Sequence, residues 1–198
     1  MPALASVAAG DLLTVAVAYD LSGLSNSSGE TLTVQDTLGT TFSEIDDAFD
    51  SNPAQGLRTF FGVSAATGTN DDIVISASLA AGFLLAYAGQ YAGVSSVVAH
   101  TIVLQSSAPT NTDGVTVALS SPDAGTLVWA LSFGTQSCEA AYTAGTGFTP
   151  RGPAQGIWPY TTFFCAQAED APSREGSQVA TWTIEDSTDA INAIVLFR

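Results

Sequence analysis

Hydrophobic and polar residues alternate along much of this chain with a period of two. In Thr31–Gln35, Leu32 and Val34 fall on one side and Thr31, Thr33 and Gln35 on the other. Asp72–Leu79 repeats the arrangement, with Ile73, Ile75, Ala77 and Leu79 opposed to Asp72, Val74, Ser76 and Ser78. Val115, Val117 and Leu119 alternate with Thr116 and Ala118. Successive side chains of a strand point to opposite faces, so each run reads as a half-buried β-strand. Between such runs stand Ser-Gly, Thr-Gly-Thr-Asn, Thr-Asp-Gly and Ser-Pro-Asp-Ala-Gly clusters, all turn formers.

Three further runs are apolar on both faces. Asp11–Tyr19 sets Leu13, Val15, Val17 and Tyr19 against Leu12, Thr14, Ala16 and Ala18. Thr126–Phe133 sets Leu127, Trp129, Leu131 and Phe133 against Val128, Ala130 and Ser132, and Gly82–Tyr91 sets Phe83, Leu85, Tyr87 and Tyr91 against Leu84, Ala86, Ala88 and Gln90. The larger face is expected to fill a sandwich core, with the smaller face under a loop, a neighbouring strand or another subunit. Helix formers are scarce; the best helical candidate is a short acidic turn in Ser43–Ser51, with Ser43 as cap. The pattern predicts an all-β protein: one two-sheet antiparallel sandwich over residues 1–198, of about a dozen strands, with jelly-roll rather than immunoglobulin topology. Ala9-Gly10-Asp11-Leu12-Leu13 is echoed by Ala124-Gly125-Thr126-Leu127-Val128, two similar entries into apolar strands.

Charge narrows the range of functions. The chain has 19 acidic residues against four arginines (Arg58, Arg151, Arg174, Arg198) and no lysine, a formal charge of −15. Nucleic-acid binding draws its free energy from counterions released by Lys and Arg, and anionic membranes attract the same side chains; neither partner is expected. The first cation is Arg58, so the apolar N-terminus has no basic region of the kind a secretory signal needs. Ile73–Ala99 is uncharged but carries Ser76, Ser78, Gln90, Ser95 and Ser96, and reads as two strands joined by a turn rather than a membrane span.

No catalytic, cofactor or metal constellation stands out. His100 is the only histidine, and it heads an apolar run without a Gly-x-Ser-x-Gly elbow. Asp46, Asp47 and Asp50, Asp71 with Asp72, and Glu185, Asp186 and Asp189 form acidic clusters, but none has the spacing of an EF-hand. They read as solvated loop edges. Cys138 and Cys165 match no zinc signature; Cys165, after Phe163 and Phe164, reads as a small buried hydrophobe, with a disulfide to Cys138 as the alternative. Arg151–Tyr160 is a Gly- and Pro-rich segment that offers Arg151, Trp158 and Tyr160 as candidate ligand or partner contacts.

Four stretches together resemble a known group: Gly10–Val17 (GDLLTVAV), Asp36–Phe42 (DTLGTTF), Phe83–Val94 (FLLAYAGQYAGV) and Ala193–Arg198 (AIVLFR). Their order and spacing are similar to jelly-roll-like sandwich proteins of tailed-bacteriophage virions, related to bacterial surface sandwich domains. The resemblance implies a non-enzymatic virion structural protein, a capsid decoration (cement) or head-fibre subunit. It would be made in the host cytoplasm without a signal peptide and bind the major capsid protein or another virion protein as a homo-oligomer. A carbohydrate-binding, lectin-like module using Trp158 and Tyr160, or a tail-associated receptor-binding component, is the alternative.

Overall fold

The computed structural model describes residues 3–20, 31–51, 54–78, 83–105, 115–121, 126–134, 143–157, 164–174, 176–183 and 189–198. Among them are fifteen strands and no helix. The chain divides into two compact units, Met1–Ser96 and Val97–Arg198, where the alternation had suggested one sandwich over 1–198.

The first unit holds β1 (Ala3–Val7), β2 (Leu12–Asp20), β3 (Leu32–Asp36), β4 (Ser43–Ser51), β5 (Ala54–Val63), β6 (Gly68–Ala77) and β7 (Phe83–Tyr91). A four-stranded sheet runs β4-β5-β2-β7 and a three-stranded sheet β1-β6-β3, and every pairing is antiparallel. Val15, Val17, Tyr19 and Phe60 of the larger sheet meet Leu32, Val34 and Ile73 of the smaller one in a common core. Each such side chain removed from water contributes about 1.5–3 kcal/mol.

The second unit holds β8 (Val97–Gln105), β9 (Val115–Ser121), β10 (Leu127–Gly134), β11 (Thr143–Ala144), β12 (Thr149–Ile157), β13 (Phe164–Pro172), β14 (Gly176–Thr183) and β15 (Ala190–Phe197). Its sheets run β12-β13-β10-β15-β8 and β11-β14-β9. Strand for strand, β9–β15 repeat the pairing order of β1–β7, and β8 is an addition beside β15. The registers agree as well. Val15 lies opposite Phe60 and Ala88, and Ala130 opposite Glu169 and Ile194. The same backbone hydrogen bond closes both copies, Ser64 N to Asp11 O at 2.9 Å and Ser173 N to Thr126 O at 3.2 Å. An irregularity interrupts β4–β5 after Glu44 and β12–β13 after Arg151. Ahead of β4 and β12 stands one motif, Thr-x-Gly-Thr-x-Phe, at Thr37–Phe42 and Thr143–Phe148. Phe42 and Phe148 pack against their respective cores. The two similar strand entries seen in the sequence therefore open the central strands of two copies of one sandwich.

In each copy the second, fifth and fourth strands lie side by side, as B, E and D do in an immunoglobulin sheet, and the third and sixth as C and F. The first and seventh strands have exchanged sheets relative to that order. The all-β antiparallel sandwich expected from the sequence is present, and its strand order among the described strands is a variant of the immunoglobulin type; the jelly-roll order is not confirmed.

The simple alternations hold. Leu32 and Val34 of β3, Ile73 of β6, and Val117 and Leu119 of β9 are buried. The two-faced strands differ from expectation. Every residue of β2 and β15 is buried within the single chain, so their second faces need no other subunit to cover them. In β10 both faces are buried: Val128 and Ala130 pack with the bulky Trp182 of β14, and Trp129, Leu131 and Phe133 are buried on the other face. In β7 it is Leu84 and Ala88 that pack in the core of the first unit. Large residues on one sheet call for small ones on the facing sheet, since interiors are close-packed, and residue size within one strand does not reveal which face is which.

Ser43–Ser51 forms strand β4 rather than a helical turn. Pairing with β5 along its length and the packing of Phe49 on Tyr19, ring centroids 6.4 Å apart and 20° from parallel, outweigh a weak local helix signal. Gly56 lies between these two residues, opposite both Tyr19 and Phe49. A Cβ there would overlap the Tyr19 ring. Gly56→Ala is expected to lower stability by about 1–3 kcal/mol, measured by urea denaturation; an unchanged midpoint would show that the Tyr19–Phe49 stack adjusts freely. Among the described residues no helix is long and apolar enough to cross a membrane, and Ile73–Ala99 falls on strands β6, β7 and β8.

Candidate functional site in the second unit

Arg151 stands on β12 and grips Asp170 of β13 with two bonds, Nε to Oδ2 at 2.5 Å and Nη2 to Oδ1 at 2.7 Å. The arginine side chain is half exposed while the carboxylate is buried, so this guanidinium is held by the fold. Trp158 and Tyr160 lie outside the described residues. His100 is exposed on β8, opposite Val195.

The acidic clusters separate. Asp46, Asp47 and Asp50 lie on β4 at the edge of its sheet, and Arg58 pairs with neighbouring Glu44 at 3.0 Å. Asp71, read from sequence as a solvated loop edge, is fully buried. Its Oδ1 accepts hydrogen bonds from the Thr37 amide at 3.0 Å and the Thr37 hydroxyl at 2.8 Å, fastening the turn after β3. Glu185 and Asp186 lie outside the described residues. No group of three or more His, Cys, Asp or Glu is placed to hold a metal ion among the described residues.

Cys165 is buried in the core of the second unit and is disulfide-bonded, which corrects the preference for a free buried thiol. Cys138 is the one other cysteine in the chain. Gly134 and Gly156 flank Cys165 on the adjacent strands, and their missing side chains leave room for a cystine. The same row in the first unit is inverted, with Gly56 between Tyr19 and Phe49.

The second unit carries a polar row inside its sandwich. Gln167, Ser132 and Asn192 form a buried row across β13, β10 and β15, where register places Arg58, Val17 and Ala86 in the first unit. Both polar atoms of the Asn192 amide and Oε1 of Gln167 lack hydrogen-bond partners. Buried groups of this kind ordinarily take internal water.

Glu169 occupies the slot that Phe60 fills in the other copy, and it is completely buried. Loss of water raises its pKa from the ordinary 4.5 to about 7, the backbone amides of Gly145 and Thr181 pull it back in part, and the charge of Asp170 adds to the rise. Its Oε2 accepts from the Gly145 amide at 3.1 Å. Gly145 approaches so closely that a Cβ would stand 2.6 Å from the Thr181 carbonyl. Glu169 thereby pins the start of the turn Gly145–Phe148, which closes through Phe148 N to Gly145 O at 3.0 Å with Gly147 at φ 88°.

That turn forms one wall of a recess of about 190 Å³. Thr146, Gly147 and Phe148 face Ala171 and Pro172 at the end of β13, Arg174 in the following turn, and Ser177–Val179 on β14. The first unit is closed at the matching place. Gly62, the register counterpart of Ala171, leaves so little space that a Cβ would stand 2.6 Å from Thr40 Cγ2 and 2.9 Å from the Thr41 carbonyl. In the second unit the Ala171 methyl holds the connection off, and the recess opens.

The chain is, then, an acidic β-sandwich protein with one strand order in both units, whose second unit carries the Gln167–Ser132–Asn192 row and the recess. No family model, no curated protein and no solved structure matches it.

Proposed function

We propose that this chain is a structural component of a bacteriophage virion, a capsid decoration or head-fibre subunit that works by assembly and binding rather than by bond-making chemistry. The observation that carries the reading is β8. It ends the five-stranded sheet, has no counterpart in the first copy, and presents Val103 and Leu104 about 40% exposed on adjacent positions. Neighbouring strand residues point to opposite faces, so both faces of this edge offer apolar surface. Sheet edges recruit partners by strand addition or by packing, and many weak contacts of this kind become tight when multiplied across a lattice. The −15 charge keeps free copies apart in solution. The bonded Cys165 suits a particle that meets oxidising surroundings after lysis. The docking partner in this reading is the major capsid protein or a sister subunit.

Mass spectrometry of purified particles tests the proposal. The chain is expected in virions at a stoichiometry tied to capsid subunits, with occupancy reduced for Leu104→Asp. Its absence from washed particles, with abundance in the infected lysate, overturns the proposal.

A further inference from the structure

We propose that the recess at Arg174 is a binding site for the carboxylate of a small acidic ligand, of the uronic-acid kind. The first argument is electrostatic. In a chain with 19 acidic residues and four arginines, guanidinium groups are expected to be taken up internally, and Arg58 and Arg151 are, by Glu44 and Asp170. The Arg174 guanidinium makes no ion pair with any described residue; its Nη2 lies over Gly147, 3.2 Å from where a Cβ would stand. Gly147 at φ 88° supplies a floor without a side chain, so the cation faces open recess.

The second argument is preorganisation. Gln178 holds the Arg174 backbone from both sides: its Oε1 accepts from the Arg174 amide at 3.4 Å, and its Nε2 donates to the Arg174 carbonyl. The Arg174 backbone is thus held before any ligand arrives, which lowers the entropy cost of binding. On the opposite wall, Glu169 fixes the Gly145–Phe148 turn.

The lining then selects the ligand class. A guanidinium matches a carboxylate with two parallel bonds, and Thr146 and Ser177 line the same recess. The lining is mostly polar, and Phe148, Pro172 and the exposed Val179 add a smaller apolar part that can meet the C–H face of a compact ring. A guanidinium also pairs with phosphate, so phosphate is the competitor against which the carboxylate is tested. The first copy lacks this site, since Thr40 and Thr41 close against Gly62. Among the described residues, one such site follows. The site does not depend on the virion reading.

Heteronuclear NMR titration of the full chain with D-glucuronate, D-glucose and inorganic phosphate provides the test. Glucuronate is expected to shift amides of Thr146–Phe148, Arg174 and Ser177–Val179, with glucose at least tenfold weaker. Arg174→Gln, an exposed change that leaves the backbone clamp intact, is expected to weaken glucuronate at least tenfold while the remaining spectrum stays folded. Equal binding of glucose, tighter binding of phosphate, shifts mapping elsewhere, no binding, or indifference to Arg174→Gln would each overturn the assignment.

Discussion

Glu169→Gln is expected to raise the stability of the second unit at pH 8 by up to about 3 kcal/mol, the equivalent of a pKa displaced from 4.5 to about 7 less the loss of one acceptor oxygen. The sign follows from linkage. With a folded pKa above the unfolded one, the native state binds more protons between the two values, so stability falls as pH rises from about 4.5 to about 7 and stays low beyond. The neutral amide keeps the shape and the acceptor for the Gly145 amide and has no charge to bury. Urea denaturation at pH 5 and pH 8 measures both effects. The parent is expected to lose stability across that interval and the variant to be nearly flat; parallel pH profiles would mean that the buried carboxyl does not govern the behaviour.

Breaking the disulfide at Cys165 is the second large effect. Cys165→Ala is expected to cost about 3 kcal/mol through the greater freedom of the unfolded chain, and Cys138→Ala should cost a similar amount. Because Cys165 is wholly buried, reductant without denaturant should act slowly, and fluorescence-monitored unfolding with and without it would reveal this. If reduced parent and Cys165→Ala differ widely in stability, the loss comes from packing around Gly134 and Gly156 rather than from the cross-link.

These effects sit where the sequence was hardest to read. Strands with one wet face announced themselves, because a polar residue at every second position has a single physical explanation. Leu32 and Val34 of β3 are an example. Strands dry on both faces gave no such signal, and in β7 and β10 the side with the smaller residues packs against the facing sheet. Duplication is legible only as two short echoes, the strand entry at Ala9–Leu13 and Ala124–Val128 and the Thr-x-Gly-Thr-x-Phe motif, since the copies preserve pairing and register while exchanging bulk. Tyr19, Gly56 and Phe49 in one become Gly134, Cys165 and Gly156 in the other. The recess depends on a methyl group at Ala171 and on which arginine has found a carboxylate, neither of which spacing can reveal. Glu169 left no such trace: Cys165–Asp170 is buried on both faces, and Ala166, Ala168 and Asp170 are as dry as Cys165, Gln167 and Glu169.

One backbone position thus holds a phenyl ring in the first half of this molecule and an ionisable acid in the second. Alkali therefore acts on the halves unequally: it loosens the one whose interior must accept a negative charge and finds nothing at the matching slot of the other to deprotonate. Kinship between the two domains has left them with different responses to the same solvent.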